Sequence, residues 1–133
     1  MAQRLLLLSL AFLAIGCAHA SQLTRSIDDP MVMRATLEDR IPVGTPIAEA
    51  QQFMEKEGFE CRDHVNGTFV ERRSWRDKEP RHERIVFIEC SRAQKLGAGA
   101  DGGRPVNSKW DVALVNDGKV VTAILLSHYN DGP

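Results

Sequence analysis

The sequence predicts an α+β domain in which two short N-terminal helices precede an antiparallel sheet of three to five strands. Helix-start signals and helical spacing of apolar residues come first, whereas apolar and polar residues alternate from Phe59 onward. Helices and strands do not alternate along the chain, so a sheet built from parallel βαβ units is not expected. With 133 residues, 43% of them hydrophobic, the chain is long enough for one compact domain.

Residues 1–20 predict a secretory signal. A positively charged start, Met1–Arg4, precedes an uninterrupted run of apolar or small residues, Leu5–Ile15. This run is shorter than the ~18 residues that a bilayer-spanning helix needs. We therefore expect an exported protein whose mature part has no transmembrane helix.

Two processing sites follow within four residues. Ala14–Cys17 resembles a bacterial lipobox, in which a diacylglycerol is added to the cysteine sulfur, although lipoboxes usually carry leucine in place of Ala14. Ala18–Ala20 offers instead the small-x-small pattern of ordinary signal peptidase. We favour lipidation at Cys17, because a cysteine directly after glycine at the end of an apolar run is uncommon by chance. Ala18 then resembles the second residue of lipoproteins sorted to the periplasmic side of the outer membrane; the alternative is a soluble periplasmic or secreted protein.

Residues 21–40 read as a tether followed by a short helix. Ser21–Asp29 has no periodic pattern and is expected to link the anchor to the folded part. Asp29 as cap and Pro30 in the first turn predict a helix over Met31–Arg40, which Pro42 would end.

Residues 41–133 are expected to form the single α+β domain. Its helix has Thr45 as the predicted cap, Pro46 at the first helical position and Gly58 at the C-terminal break. The apolar stripe of that helix consists of Ile47, Ala50 and Met54.

The strands are predicted from alternation and turn signals. Asn66-Gly67 predicts a hairpin turn with a return strand over Thr68–Arg72, and Arg84–Cys90 is rich in β-branched residues. A glycine-rich loop is expected over Gly97–Pro105. Two further strands, one starting at Trp110 and one over Val120–Leu126, flank a tight turn at Asp117-Gly118.

Cys61 and Cys90 predict a disulfide. An exported pair is expected to be oxidised, and the Cys-x-x-Cys spacing of thiol oxidoreductases is missing. Cys61 alternates in phase with Phe59, and Cys90 is in phase with Val86 and Ile88, so both should face the core.

Residues Val43–Pro46, leading into a helix that ends Glu57-Gly58-Phe59 behind a lipobox-like motif, resemble the small bacterial outer-membrane lipoproteins of the SmpA/OmlA type. That group includes the accessory lipoprotein of the β-barrel assembly machinery. The resemblance covers Ile41–Cys61 as motif and otherwise only the order of elements. It implies a two-helix, three-stranded fold similar to one repeat of β-lactamase inhibitory protein, and no catalysis. The position of Cys61 and the sequence of Trp110–Val120 resemble uncharacterised small lipoproteins more closely.

Three histidines, His64, His82 and His128, are candidate metal ligands. His82-Glu83 lacks the second histidine that a zinc-protease helix requires, and the serines of the chain show no Gly-x-Ser-x-Gly elbow. We therefore expect no catalytic residues, metal or cofactor. The alternative is a periplasmic small-ligand or metal-binding protein that uses these histidines.

A basic stretch is the candidate interaction site, and its key residues are Arg72, Arg73, Trp75 and Arg76. Guanidinium groups beside an indole could contact lipopolysaccharide, peptidoglycan or an envelope protein. Acidic residues are interleaved, however, so a solvated loop is the simpler interpretation. The 17 basic and 18 acidic side chains of the whole chain give no field that would attract nucleic acid, which is not expected as a partner.

Together these features predict a non-enzymatic cell-envelope lipoprotein that acts as a structural or protein-interaction module. A further alternative is an inhibitor of a secreted enzyme, a function that the resembling fold can have.

Overall fold

A computed structural model describes residues 23–72, 78–95 and 107–131, in which two helices precede a four-stranded antiparallel sheet. This confirms the α+β class. The strands are ordered β1-β2-β3-β4, so hydrogen-bonded neighbours are also consecutive in sequence. The elements are α1 (Pro30–Arg40), α2 (Ile47–Lys56), β1 (Glu60–Val70), β2 (Arg81–Lys95), β3 (Asn107–Asn116) and β4 (Val121–Asp131). The predicted signal, Cys17 and the loop Gly97–Pro105 lie outside the described residues.

Helix α1 begins as the sequence predicts. The Asp29 carboxylate accepts a hydrogen bond of 2.8 Å from the Met31 amide, and Pro30 occupies the first turn. Because the first amides of a helix have no partner inside it, this cap stabilises the start by about 1 kcal/mol. Met33 and Leu37 face inward and are fully buried.

Helix α2 begins one residue later than predicted, and Thr45 does not cap it. The Thr45 hydroxyl donates to the Pro42 carbonyl at 2.6 Å, and the helix starts at Ile47. The cause is tertiary: the Thr45 carbonyl accepts the Val121 amide at 2.8 Å, which ties this residue to the start of β4. The C-terminal break is confirmed, since Gly58 takes a φ of 88° that other residues rarely adopt.

The predicted hairpin turn at Asn66-Gly67 is wrong. Strand β1 runs through this dipeptide and pairs with β2 along both halves, with register shifts between His64 and Phe69. Asn66 has a φ of 56°, and Arg84 on β2 has a φ of 55°. Both strands therefore carry a bulge near the same level, and bulges bend a hairpin rather than end it. The β2 strand is long enough to pair on both sides of the bulge, which outweighs the local turn signal.

The bent hairpin closes on the free edge of β4. Arg72, just after β1, accepts the His128 amide at 2.8 Å through its carbonyl and donates its own amide to the Ser127 hydroxyl at 3.2 Å. Strands β1 and β4 are the two edges of the sheet. A bond between their ends requires the sheet to curl back on itself.

The curled sheet buries apolar residues on both of its faces. The helix-facing core packs α1 and α2 on the sheet, and its largest fully buried member is Trp110. The second, smaller core lies on the other face beneath the bent hairpin, where the Phe69 ring meets the Phe87 ring edge-on at 5.8 Å. Ala113 of β3 completes this second core.

Cys61 and Cys90 occupy directly opposed positions on β1 and β2. Their Cα atoms are 4.1 Å apart and their sulfur atoms lie within bonding distance. Cys90 is fully buried in the helix-facing core, and Cys61 packs against that core. This geometry is compatible with the predicted disulfide.

The turn between β3 and β4 is confirmed at Asp117-Gly118. One Asp117 carboxylate oxygen accepts the amides of Lys119 and Val120, both at 2.9 Å. These two hydrogen bonds to the charged form lower the pKa of Asp117.

Residues 23–29, the described part of the expected tether, pack against the folded domain. Thr24 has no exposed surface, and Ile27 packs against the helix-facing core. The folded domain therefore starts at least six residues before α1, because polar contacts hold a segment that has no apolar periodicity.

Candidate functional site

The structure places a buried carboxylate where the hairpin meets the edge of β4. Glu71 is 4% exposed. Its Oε1 accepts Arg34 of α1 at 2.7 Å and the Leu126 amide of β4 at 3.4 Å, while its Oε2 lies 3.0 Å from His82 Nε2. One side chain thus joins a helix, two strands and the closing segment.

Arg72 is the described member of the predicted interaction site; Arg73, Trp75 and Arg76 lie outside the described residues. The Arg72 side chain is half exposed, and among the described residues it forms an ion-pair contact with Glu79 at 3.8 Å. Its guanidinium lies 5.5 Å from the centroid of the Tyr129 ring. Backbone bonds to β4 fix the main chain of Arg72 beside that edge.

A groove of about 380 Å³ lies between α1 and the edge of β4. Its lining combines apolar residues with two arginines and one histidine. Met31, one of its lining residues, is 80% exposed. The residues that define the groove are Met31, Arg34, Ala35, Arg72, Leu126 and His128.

His128 at the end of this groove is held by β3. Its ring stacks on Trp110 with centroids 3.8 Å apart, and its Nε2 lies 2.7 Å from the Ser108 hydroxyl. Burial lowers the pKa of His128, while the negative charge of Asp28 opposes this shift. Because the pKa lies below the ordinary value, the imidazole is neutral at pH 7. A serine–histidine pair is the core of many nucleophilic sites, but Ser108 is only 3% exposed. The pair satisfies buried polar groups.

The three candidate histidines lie in separate environments. His64 stacks on Phe87 at 4.8 Å, and its Nε2 is 2.7 Å from a Glu89 carboxylate oxygen without hydrogen-bond alignment. His82 contacts Glu71 and His128 contacts Ser108. Within residues 23–72, 78–95 and 107–131, no group of three or more His, Cys, Asp or Glu side chains is arranged to hold a metal ion.

A second polar cluster, which the sequence analysis did not predict, fixes residues 23–27. Arg92 Nη1 donates to the Thr24 hydroxyl at 2.7 Å and to the Glu57 carbonyl at 2.8 Å. Burial lowers the pKa of Arg92, while the negative charge of Glu57 opposes that shift. The guanidinium also lies 4.3 Å from the centroid of the Phe59 ring.

One signal for this cluster was present in the sequence. Arg92 alternates in phase with Ile88 and Cys90, which face the core, so an inward arginine that needs a buried acidic partner could have been inferred. Glu57 and Thr24 carried no comparable signal, because their burial depends on the meeting of segments that are far apart in sequence.

Comparison of the chain with family models, with curated proteins and with solved structures finds no match. Among the described residues, neither helix is long and apolar enough to cross a membrane.

Proposed function

We propose that this chain is an exported, non-enzymatic lipoprotein of the bacterial outer membrane, anchored through Cys17 and acting as a protein-interaction module. Support for export and anchoring comes from the signal-like residues 1–20 and the lipobox-like motif before Cys17. The resemblance to SmpA/OmlA lipoproteins agrees with this assignment.

The α1–β4 groove is the observation that supports a role in protein interaction. It is lined by the exposed residue Met31 and by Arg72, whose side chain is half exposed. Arg34 is already engaged by Glu71 at 2.7 Å, whereas Arg72 has its carboxylate contact at 3.8 Å. In this proposal the half-exposed Arg72 side chain donates to a carboxylate of the incoming segment. The occupant we propose is a segment of an envelope protein that carries an apolar side chain next to an acidic residue.

Intact-mass measurement of membrane-extracted protein tests the anchor. The mature chain should begin at Cys17 and carry added acyl mass, and Cys17→Ser should release the protein from membranes. Ala14→Leu is the matched control, since it brings the motif closer to the usual lipobox and should retain attachment. An unmodified chain that starts at Ser21 would refute lipidation.

Site-specific photo-crosslinking in native membranes tests the groove. A crosslinker at Met31 should capture a defined envelope protein, whereas one at Lys119, in the β3–β4 turn, should not. Arg72→Gln should weaken capture at low salt most, because exposed charge contacts are screened within ~8 Å at physiological ionic strength. Equal capture from both positions, or capture that is unchanged by Arg72→Gln, would refute the proposal that the groove is the binding surface.

A further inference from the structure

We propose that the end of the sheet beside Thr24 faces the bilayer and rests on zwitterionic phospholipid headgroups. This surface, the anchor-side end, consists of Glu60, Arg62, Glu89, Ser91 and Lys109 together with Arg25. This inference rests on the proposed lipid anchor at Cys17.

Thr24 is the point at which the chain becomes fixed to the domain. Its amide and hydroxyl both donate to Glu57 Oε2, at 3.0 and 2.8 Å. Its hydroxyl accepts a hydrogen bond from Arg92 Nη1 at 2.7 Å, and its carbonyl accepts one from Arg92 Nη2 at 3.1 Å. With four such bonds and no exposed surface, Thr24 cannot swing away while the domain is folded. The free length of the anchor therefore ends at residue 24 instead of at α1.

The chain between the lipid anchor and Thr24 is shorter than the domain is wide. Cys17 and Thr24 are seven residues apart, and a fully extended chain covers at most about 25 Å over that distance. A folded domain of about 110 residues has a radius of gyration of about 13 Å, which corresponds to a sphere about 34 Å in diameter. The anchor thus keeps the Thr24 end near the lipid surface.

The β3–β4 turn marks the opposite end. Lys109 lies near the start of β3, and the turn at Asp117 follows its end. The eight residue steps from Lys109 to Asp117 extend over about 27 Å at the rise of an antiparallel strand. Lys119 in the turn is exposed. A protein held by Cys17 should therefore present these two lysines at different heights above the bilayer.

The charges of the anchor-side end suit a headgroup that carries both signs. A shallow cavity of about 540 Å³ is lined by Glu60, Arg62, Glu89, Ser91 and Lys109. Cationic and anionic side chains thus alternate over one surface. Phosphate groups can accept from the basic side chains, while ammonium groups can donate to the carboxylates.

Fluorescence quenching on vesicles tests this orientation. The acylated protein carrying Lys109→Cys or Lys119→Cys is labelled at the new cysteine and reconstituted into phosphatidylethanolamine–phosphatidylcholine vesicles that contain a headgroup-attached quencher. Quenching should be several-fold stronger at position 109 than at position 119. The two variants are matched, because each replaces a lysine at one end of the same hairpin.

A longer anchor provides the control. A flexible Gly/Ser segment inserted between Ala20 and Ser21 should reduce the difference between positions 109 and 119. Equal quenching at both positions in the acylated, uninserted protein would overturn the proposed orientation and leave lipidation intact. If the mass shows no acyl group, the anchor and this inference both fail, so the two failures are distinguishable.

Discussion

Reducing the Cys61–Cys90 pair without removing either sulfur should destabilise the domain strongly. The two residues are 29 apart in sequence, and the chain-entropy model assigns about 3 to 4 kcal/mol to a cross-link that closes a loop of that size. Small domains have free energies of unfolding of about 5 to 15 kcal/mol. Reduction should therefore remove a large part of the stability, although Cys90 still fills its buried position.

Urea unfolding followed by circular dichroism measures this effect. With a denaturant slope of about 1 to 3 kcal/mol/M, the midpoint should fall by about 1 to 4 M on reduction. The variant Cys61→Ala/Cys90→Ala should be less stable than the reduced wild type, because Cys90 is fully buried and alanine leaves space in the core. The comparison separates loss of the cross-link from loss of packing.

Two results would refute this reasoning. One is an oxidised protein whose urea midpoint does not change on reduction. The other is an alkylating reagent that modifies Cys61 or Cys90 in the native, unreduced protein, which would show a free thiol. Adducts found only after reduction and unfolding would support the cross-link.

Gly67→Ala should lower the free energy of unfolding by about 1 to 3 kcal/mol, because the new Cβ would lie 2.8 Å from the buried Phe87 ring; an unchanged urea midpoint would contradict the bend in β1. Burial lowers the pKa of His128, so the folded protein binds fewer protons than the unfolded chain just below pH ~6.5. Stability should thus fall as the pH drops from ~6.5 toward the lowered pKa, and His128→Gln should flatten that part of the pH profile of urea unfolding; a profile unaffected by the substitution would count against a neutral buried imidazole. Glu71→Gln should cost about 1 to 3 kcal/mol, since an amide replaces the carboxylate that accepts Arg34 at 2.7 Å; thermal melting checks this, and a melting temperature equal to that of the wild type would argue against the proposed role in closure.

Local signals were enough to predict the helices and most strands. Asp29 and Pro30 start α1 because a carboxylate can accept an amide two residues away, and Gly58 ends α2 because its backbone tolerates a positive φ. Alternation also placed Cys61 and Cys90 on core-facing positions of neighbouring strands. Each of these outcomes depends on residues close together in the chain.

The candidate site depended on contacts that the sequence pattern does not encode. Arg72 was selected for its charge, but its place beside α1 and β4 follows from the curl of the sheet. Glu71, which the sequence did not single out, joins those elements through its buried carboxylate.

Asn66-Gly67 and Thr24 show most clearly what only the tertiary structure decided. The dipeptide favours a positive φ in either a turn or a bulge, and pairing with the long β2 strand selected the bulge. Thr24 is buried because Arg92 and Glu57 meet it from positions 68 and 33 residues away. A local pattern specifies backbone preferences within a few residues, whereas strand partners and buried polar contacts are chosen by the lowest free energy of the whole chain.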